Sequence, residues 1–119
     1  MDQANSRKPL NFLTDDFIFA AINLFLADAG LLSAADDEKG DFIVKVVADL
    51  VDRTNISVIK SLSEDQIPVA LKITESETNY AEREAALTAL IPDFPQKMRT
   101  VMDLILRQVR IGEYSKINQ

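Results

Sequence analysis

The densest cluster of chemically able side chains lies in LLSAADDEKGDF, residues 31–42, where Asp36, Asp37, Glu38 and Asp41 fall within six residues. Acids at that density raise two chemistries, hard-cation binding and carboxylate catalysis. A calcium-binding helix-loop-helix alternates its ligands at positions 1, 3 and 5, with Gly at 6 and Glu at 12. Counted from Asp36, the third ligand position falls on Gly40 and Lys39 adds a cation inside the loop, so the spacing fails. The same acids suit a helix start. Ser33-x-x-Asp36 has the form of a capping box, and each acid in a first turn gains about 0.3–1 kcal/mol from the helix dipole. Asp15-Asp16 is explained in the same way. Glycoside hydrolysis needs two carboxylates facing each other across a cleft, whereas adjacent residues on one helix point about 100° apart. Asp36, Asp37, Glu38 and Asp41 are thus the metal candidates, with helix initiation their expected role.

The chain contains no His and no Cys. Ser-His and Cys-His catalysis are therefore excluded, as are imidazole and thiolate metal ligands. Carboxylates, Lys, Arg, two Tyr, hydroxyls and the backbone remain, and no cofactor is expected. A net charge of −6 weighs against non-specific binding to nucleic acid or an anionic membrane.

One segment runs against that charge. Residues 95–116 carry Lys97, Arg99, Arg107, Arg110 and Lys116 against only Asp103 and Glu113. On a helical wheel Arg99, Asp103, Arg107 and Arg110 share a face opposite Met98, Val101, Met102, Ile105 and Val109. That face suits phosphate or an acidic partner; equally, it suits a solvated surface with Arg99-Asp103-Arg107 paired at i, i+4. Asp103 in its midst and the absence of interleaved aromatics disfavour nucleic acid. Leu104 and Ile111 fall outside the main apolar stripe, on a flank with Gln108. They are expected to border an exposed apolar surface beside the first helix, where a protein partner or a second copy would dock.

These side chains must be positioned by helices. Apolar residues recur at i, i+3/i+4, and three Gly and four Pro are too few for a sandwich or barrel. Five helices are predicted, at 14–29, 34–62, 64–74, 79–91 and 94–112. The second is expected to bend or break near residues 53–55. Flexible tails are expected at 1–13, docked by Leu10 and Phe12, and at 113–119. Thr14, Thr78 and Asp93 are the expected N-caps, Ser63-x-x-Gln66 reads as a capping box, and Gly30 and Gly112 as stops. Tyr80 and Tyr114 are expected to pack their rings with the hydroxyls outward. The first helix is apolar over more than half its circumference, so it is expected either to lie centrally or to supply half of an oligomer contact. Its run FIFAAINLFLA, within a signal-peptide-like segment at 17–29, is too short for the roughly 20 residues of a membrane span and abuts two acids. It reads as a core helix of a soluble, cytoplasmic protein.

The order GLLSAADDEKGDFI, Arg53, SLSEDQI and LIPDFPQKMRTVMDLIL resembles a small all-helical bacterial family of unknown function. There a Gly-Leu step, an acidic helix start, an LSE-type capping box and an "IP-D/N" helix junction follow in the same order. The resemblance implies an intracellular helical domain and carries over no catalytic residue.

The expectation from sequence is a single-domain all-α bundle acting as a protein-interaction module or structural subunit without catalysis. A carboxylate-based cation binder or enzyme, and an anion or nucleic-acid binder using the last helix, are the alternatives.

Overall fold

The computed structural model describes residues 11–76 and 79–114. Among them five helices follow one another: α1 Asp15–Ala29, α2 Asp36–Lys60, α3 Ile67–Thr74, α4 Tyr80–Leu90 and α5 Phe94–Arg110. The fold is all-α, as the apolar period predicts. α5 packs on α2, α1 and α4; α1 also meets α2 and α4; α3 rests on α4. No described helix is long and apolar enough to cross a membrane.

Two apolar stripes set this packing. On α5, Phe94, Met98, Val101, Ile105 and Val109 are buried at spacings of three and four, a stripe along one side. On α2 every fourth residue is buried, from Phe42 through Val46, Leu50 and Thr54 to Val58. Each step of four advances about 40°, so the buried line winds through about 160° from head to tail. The two ends of α2 therefore meet different neighbours. At the head, the Phe42 ring meets Tyr114 edge-on, with centroids 6.3 Å apart. Toward the tail, Asn55 Oδ1 accepts the Phe12 N–H at 3.3 Å. α2 is helical throughout Arg53-Thr54-Asn55, where the sequence suggested a bend. Thr54 lies within the buried line, and Arg53 is held to Asp49 at 2.8 Å.

Both glycine stops form. Gly30 has φ 74°, its N–H reaches Ala27 O at 3.1 Å, and the Leu31 N–H reaches Leu26 O at 2.8 Å. Gly112 has φ 80°, with the Gly112 N–H on Val109 O and the Glu113 N–H on Gln108 O, both at 3.0 Å. In each case a left-handed residue lets the chain reverse and satisfies two orphan carbonyls. The second reversal returns Tyr114 to the core, which corrects the expected tail from 113. The expected N-terminal tail is likewise too long, since Phe12 and Leu13 are core residues. The remaining tail residues, Leu10 among them, lie outside the described residues.

The starts differ more from expectation. α2 begins after Ala35, in extended conformation and without a side-chain cap bond, so the Ser33-Asp36 box does not form. Thr14 precedes α1 as expected, but its hydroxyl is donated to Asp16 rather than accepting a helix N–H. Gln66 Oε1 does accept the Ser63 N–H at 3.0 Å, but the regular helix starts later, at Ile67. Asn79 caps α4 by accepting the Glu82 N–H at 2.9 Å; Thr78 lies outside the described residues. Asp93 precedes α5 without a side-chain cap bond and pairs instead with Lys97 at 3.5 Å.

Polar contacts tie the elements together. The Arg83 guanidinium donates to four backbone carbonyls, of Asn11 at 3.3 Å, Leu13 at 3.4 Å, Thr74 at 3.4 Å and Ser76 at 2.9 Å. One α4 side chain thus joins the N-terminal segment to the end of α3, where last-turn carbonyls lack helical partners. Burial lowers the Arg83 pKa from its ordinary value. The Asp16 carboxylate receives the Thr14 hydroxyl and, at 3.1 Å, the Tyr80 N–H, joining α1 to the start of α4. The Phe17 and Tyr80 rings lie against each other, centroids 4.2 Å apart. The Tyr80 hydroxyl is buried without a partner among the described residues, not turned outward as expected.

α1 shows what its wide apolar wheel means. Ala21, Phe25 and Leu26 are buried, while Phe19 is 69% exposed and Leu24 is also exposed. The neighbours cover less of the helix than its sequence could bury.

Candidate functional site

A groove of about 680 Å³ opens at the head of α2. Its apolar surface comes from Leu31 in the α1–α2 loop, Phe42 and Val44 on α2, and Tyr114 beyond α5. Among the described residues Asp37, Glu38 and Asp41 supply its only charged lining, and Gly40 leaves a gap between them. Helical geometry explains part of this set. Asp37, Asp41 and Val44 lie within about 60° on the α2 wheel, whereas Lys39 sits about 200° round from Asp37. Val44 falls off the buried line and is 70% exposed at the lip.

Gly40 is helical, where Ala is worth up to about 1 kcal/mol more. A Cβ at this position would meet nothing within 4 Å, so packing does not require the glycine. Its effect is to leave the groove open.

The Tyr114 wall is held in place. Its hydroxyl donates to Asp49 on α2, with Gln108 Oε1 of α5 at 2.6 Å, so it too is not outward as expected. A phenol has one proton and serves one acceptor at a time. Asp49 is also held by Arg53 Nε at 2.8 Å. Burial first, then the Asp49 hydrogen bond and its negative charge, push the Tyr114 phenol well above its ordinary pKa. The phenol therefore stays protonated and the wall stays latched across neutral pH.

The four metal candidates do not act together. Asp37, Glu38 and Asp41 line the groove; Asp36 does not. Asp37 Oδ1 accepts the Glu38 N–H at 2.8 Å, and Asp41 pairs with Lys45 at 3.4 Å. Among the described residues no three acids are grouped so as to hold a metal ion.

The partner candidates on α5 separate as well. Arg110 pairs with Asp28 at the end of α1, at 2.8 Å. Arg99 and Arg107 are exposed, and among the described residues neither closes an ion pair with Asp103. Leu104 is half-buried and Ile111 is 67% exposed. Gln108, in the middle of their flank, faces the Tyr114–Asp49 contact on α2. One α5 contact to α1, the Arg110–Asp28 pair, lies about 200° further round. Gln108 of that flank thus faces the α2 side.

Leu31, Phe42, Val44 and Tyr114 were not candidates on sequence. Two signals pointed to them: a glycine inside a helical run at Gly40, and Val44 lying outside the i, i+4 line of α2.

The chain matches no protein-family model, no curated protein and no solved structure.

Proposed function

We propose that the protein is a non-catalytic protein-binding module whose docking surface is the groove at the head of α2. One observation carries this: a groove whose exposed Val44 and half-buried Leu31 lie over buried Phe42 and Tyr114, bordered among the described residues by acids alone, beside a wall latched by Tyr114. Exposed apolar groups gathered at a rimmed depression mark interaction surfaces, whereas single ones are ordinary. Exposed Leu32 adjoins the groove residue Leu31 in the chain, and exposed Ile111 precedes Tyr114 by one turn. Binding rather than catalysis is favoured by the residue set. The chain has no His or Cys, and the carboxylates lining the groove among the described residues project from one helix rather than across a cleft.

The test is photo-crosslinking in the native cell. A photoreactive residue at position 44 is expected to trap a discrete heterologous protein, and one at Thr100, on the exposed side of α5, is expected to trap none. Equal products from both positions, or none from position 44, would reject the groove as the docking surface.

A further inference from the structure

The charge of the rim selects among protein partners. Resting on the proposal that the groove is the docking surface, we infer that its occupant is a short basic segment of another protein: an apolar anchor flanked by Lys or Arg. The anchor lies against Leu31 and Val44, over the buried Phe42 and Tyr114, and the cations meet Asp37, Glu38 and Asp41.

Three considerations lead there. The first is sign. Among the described residues every charged side chain lining the groove is an acid, and Lys39 does not line it. The N-terminus of α2 contributes an opposing partial charge of about +0.5, which three carboxylates outweigh. Lys45 offsets Asp41 in part, through an exposed pair at 3.4 Å, a class worth about 0–1 kcal/mol and readily exchanged for another cation. No such pair holds Asp37 or Glu38 among the described residues.

The second is spacing. Asp37 and Asp41 are separated by about 6 Å along the helix axis. Cations two residues apart in an extended chain are about 6.6 Å apart, and four apart on a helix about 6 Å, so either register matches the rim. The third is size. About 680 Å³ lies inside the roughly 300–1,000 Å³ range of sites that bury most of a small ligand, so one anchor with its flanks enters rather than a broad protein face.

The test uses fluorescent peptides of equal length, read by anisotropy against the full chain. One carries Leu flanked by Lys and Arg, one Leu flanked by Glu, one Leu flanked by Gln, and one the same cations without Leu. The Lys/Arg–Leu peptide is expected to bind at least tenfold tighter than each of the others, and to weaken as salt rises toward a Debye length of about 8 Å. A charge variant, Asp37→Asn with Glu38→Gln and Asp41→Asn, is expected to lose most of that preference. Gly40→Leu fills the groove from a position where a Cβ meets nothing, using a good helix former, and is expected to abolish binding with the circular dichroism melt preserved. If Glu- or Gln-flanked peptides bind as well and Gly40→Leu still blocks them, the groove stands and the basic partner is wrong. If the peptide without Leu binds equally, diffuse charge explains the effect and the anchored occupant is wrong. If Gly40→Leu changes nothing for any bound peptide, both the occupant and the docking surface fall.

Discussion

Thr54→Val should stabilise the protein. Thr54 is fully buried in the middle of α2, on the line that joins Leu50 to Val58, and its hydroxyl has no partner among the described residues. A buried Thr in a helix ordinarily donates to the carbonyl one turn back. Thr88 does so to Glu84 at 2.7 Å, and Thr100 to Gln96 at 3.1 Å. Thr54 does not, so it carries the desolvation cost of a hydroxyl without the return. That cost is about 1–3 kcal/mol for a buried polar group left unpaired. Val keeps the β-branched shape and has nearly the same helix propensity. Taking the low end, the gain is about 1 kcal/mol, or roughly 4 °C in midpoint for a domain of this size. Urea melts should show a higher midpoint with an unchanged slope, since the surface exposed on unfolding is the same. Thr88→Val is the internal control: it removes a made hydrogen bond and should lower stability by about 1 kcal/mol. A Thr54→Val protein no more stable than the parent, or a loss matching that of Thr88→Val, would mean the Thr54 hydroxyl is satisfied and the reasoning is wrong.

Arg83→Lys should destabilise by about 3 kcal/mol despite keeping the charge, because a compact ammonium cannot span four carbonyls placed for a planar fork; a midpoint within error of the parent would refute this. The only two tyrosines, Tyr80 and Tyr114, both have pKa values raised above 10.0, first by burial. Ultraviolet titration of the folded protein should therefore show no tyrosinate step at pH 10, a step that appears in urea. Because both folded values are raised, their contribution is intact below pH 10 and lost as pH climbs through them. Asp16 is held below its ordinary 3.8, first by the Thr14 hydroxyl and then by the Tyr80 N–H. A lowered folded value contributes stability above pH 3.8 and loses it below, so the gap between parent and Asp16→Ala in thermal melts should be constant near neutrality and close in acid. A gap that widens in acid would be inconsistent with that sign.

The helices were legible because each signal was local. Apolar spacing located all five, and Gly30, Gly112 and the proline-bearing starts of α3 and α5 marked boundaries within a few residues. What misled was chemistry with two solutions. Ser33-x-x-Asp36 can close a capping box, yet α2 starts at Asp36 behind Ala35. Arg83 reads as one more surface charge on a short polar helix, and only the tertiary fold sets four carbonyls around it. Tyr114 comes two residues after a helix-stopping glycine and looks like part of a tail. The reversal at Gly112 instead carries it back to Asp49, 65 positions earlier in the chain, a contact no local pattern encodes. The groove was half legible: its acids stood out at once, and the apolar surface they border did not. Val44 and Phe42 belong to one helix, but Leu31 and Tyr114 join them only when α1, α2 and α5 pack.

Amide chemical-shift mapping of the labelled protein, titrated with the Lys/Arg–Leu peptide, tests the docking surface most directly. Docking in the groove predicts saturable shifts at Leu31, at Gly40 through Val44 and at Tyr114, with the Phe19/Leu24 face of α1 and the Arg99/Arg107 face of α5 unmoved. Shifts confined to either of those faces, or spread over every acidic residue without saturation, would contradict it.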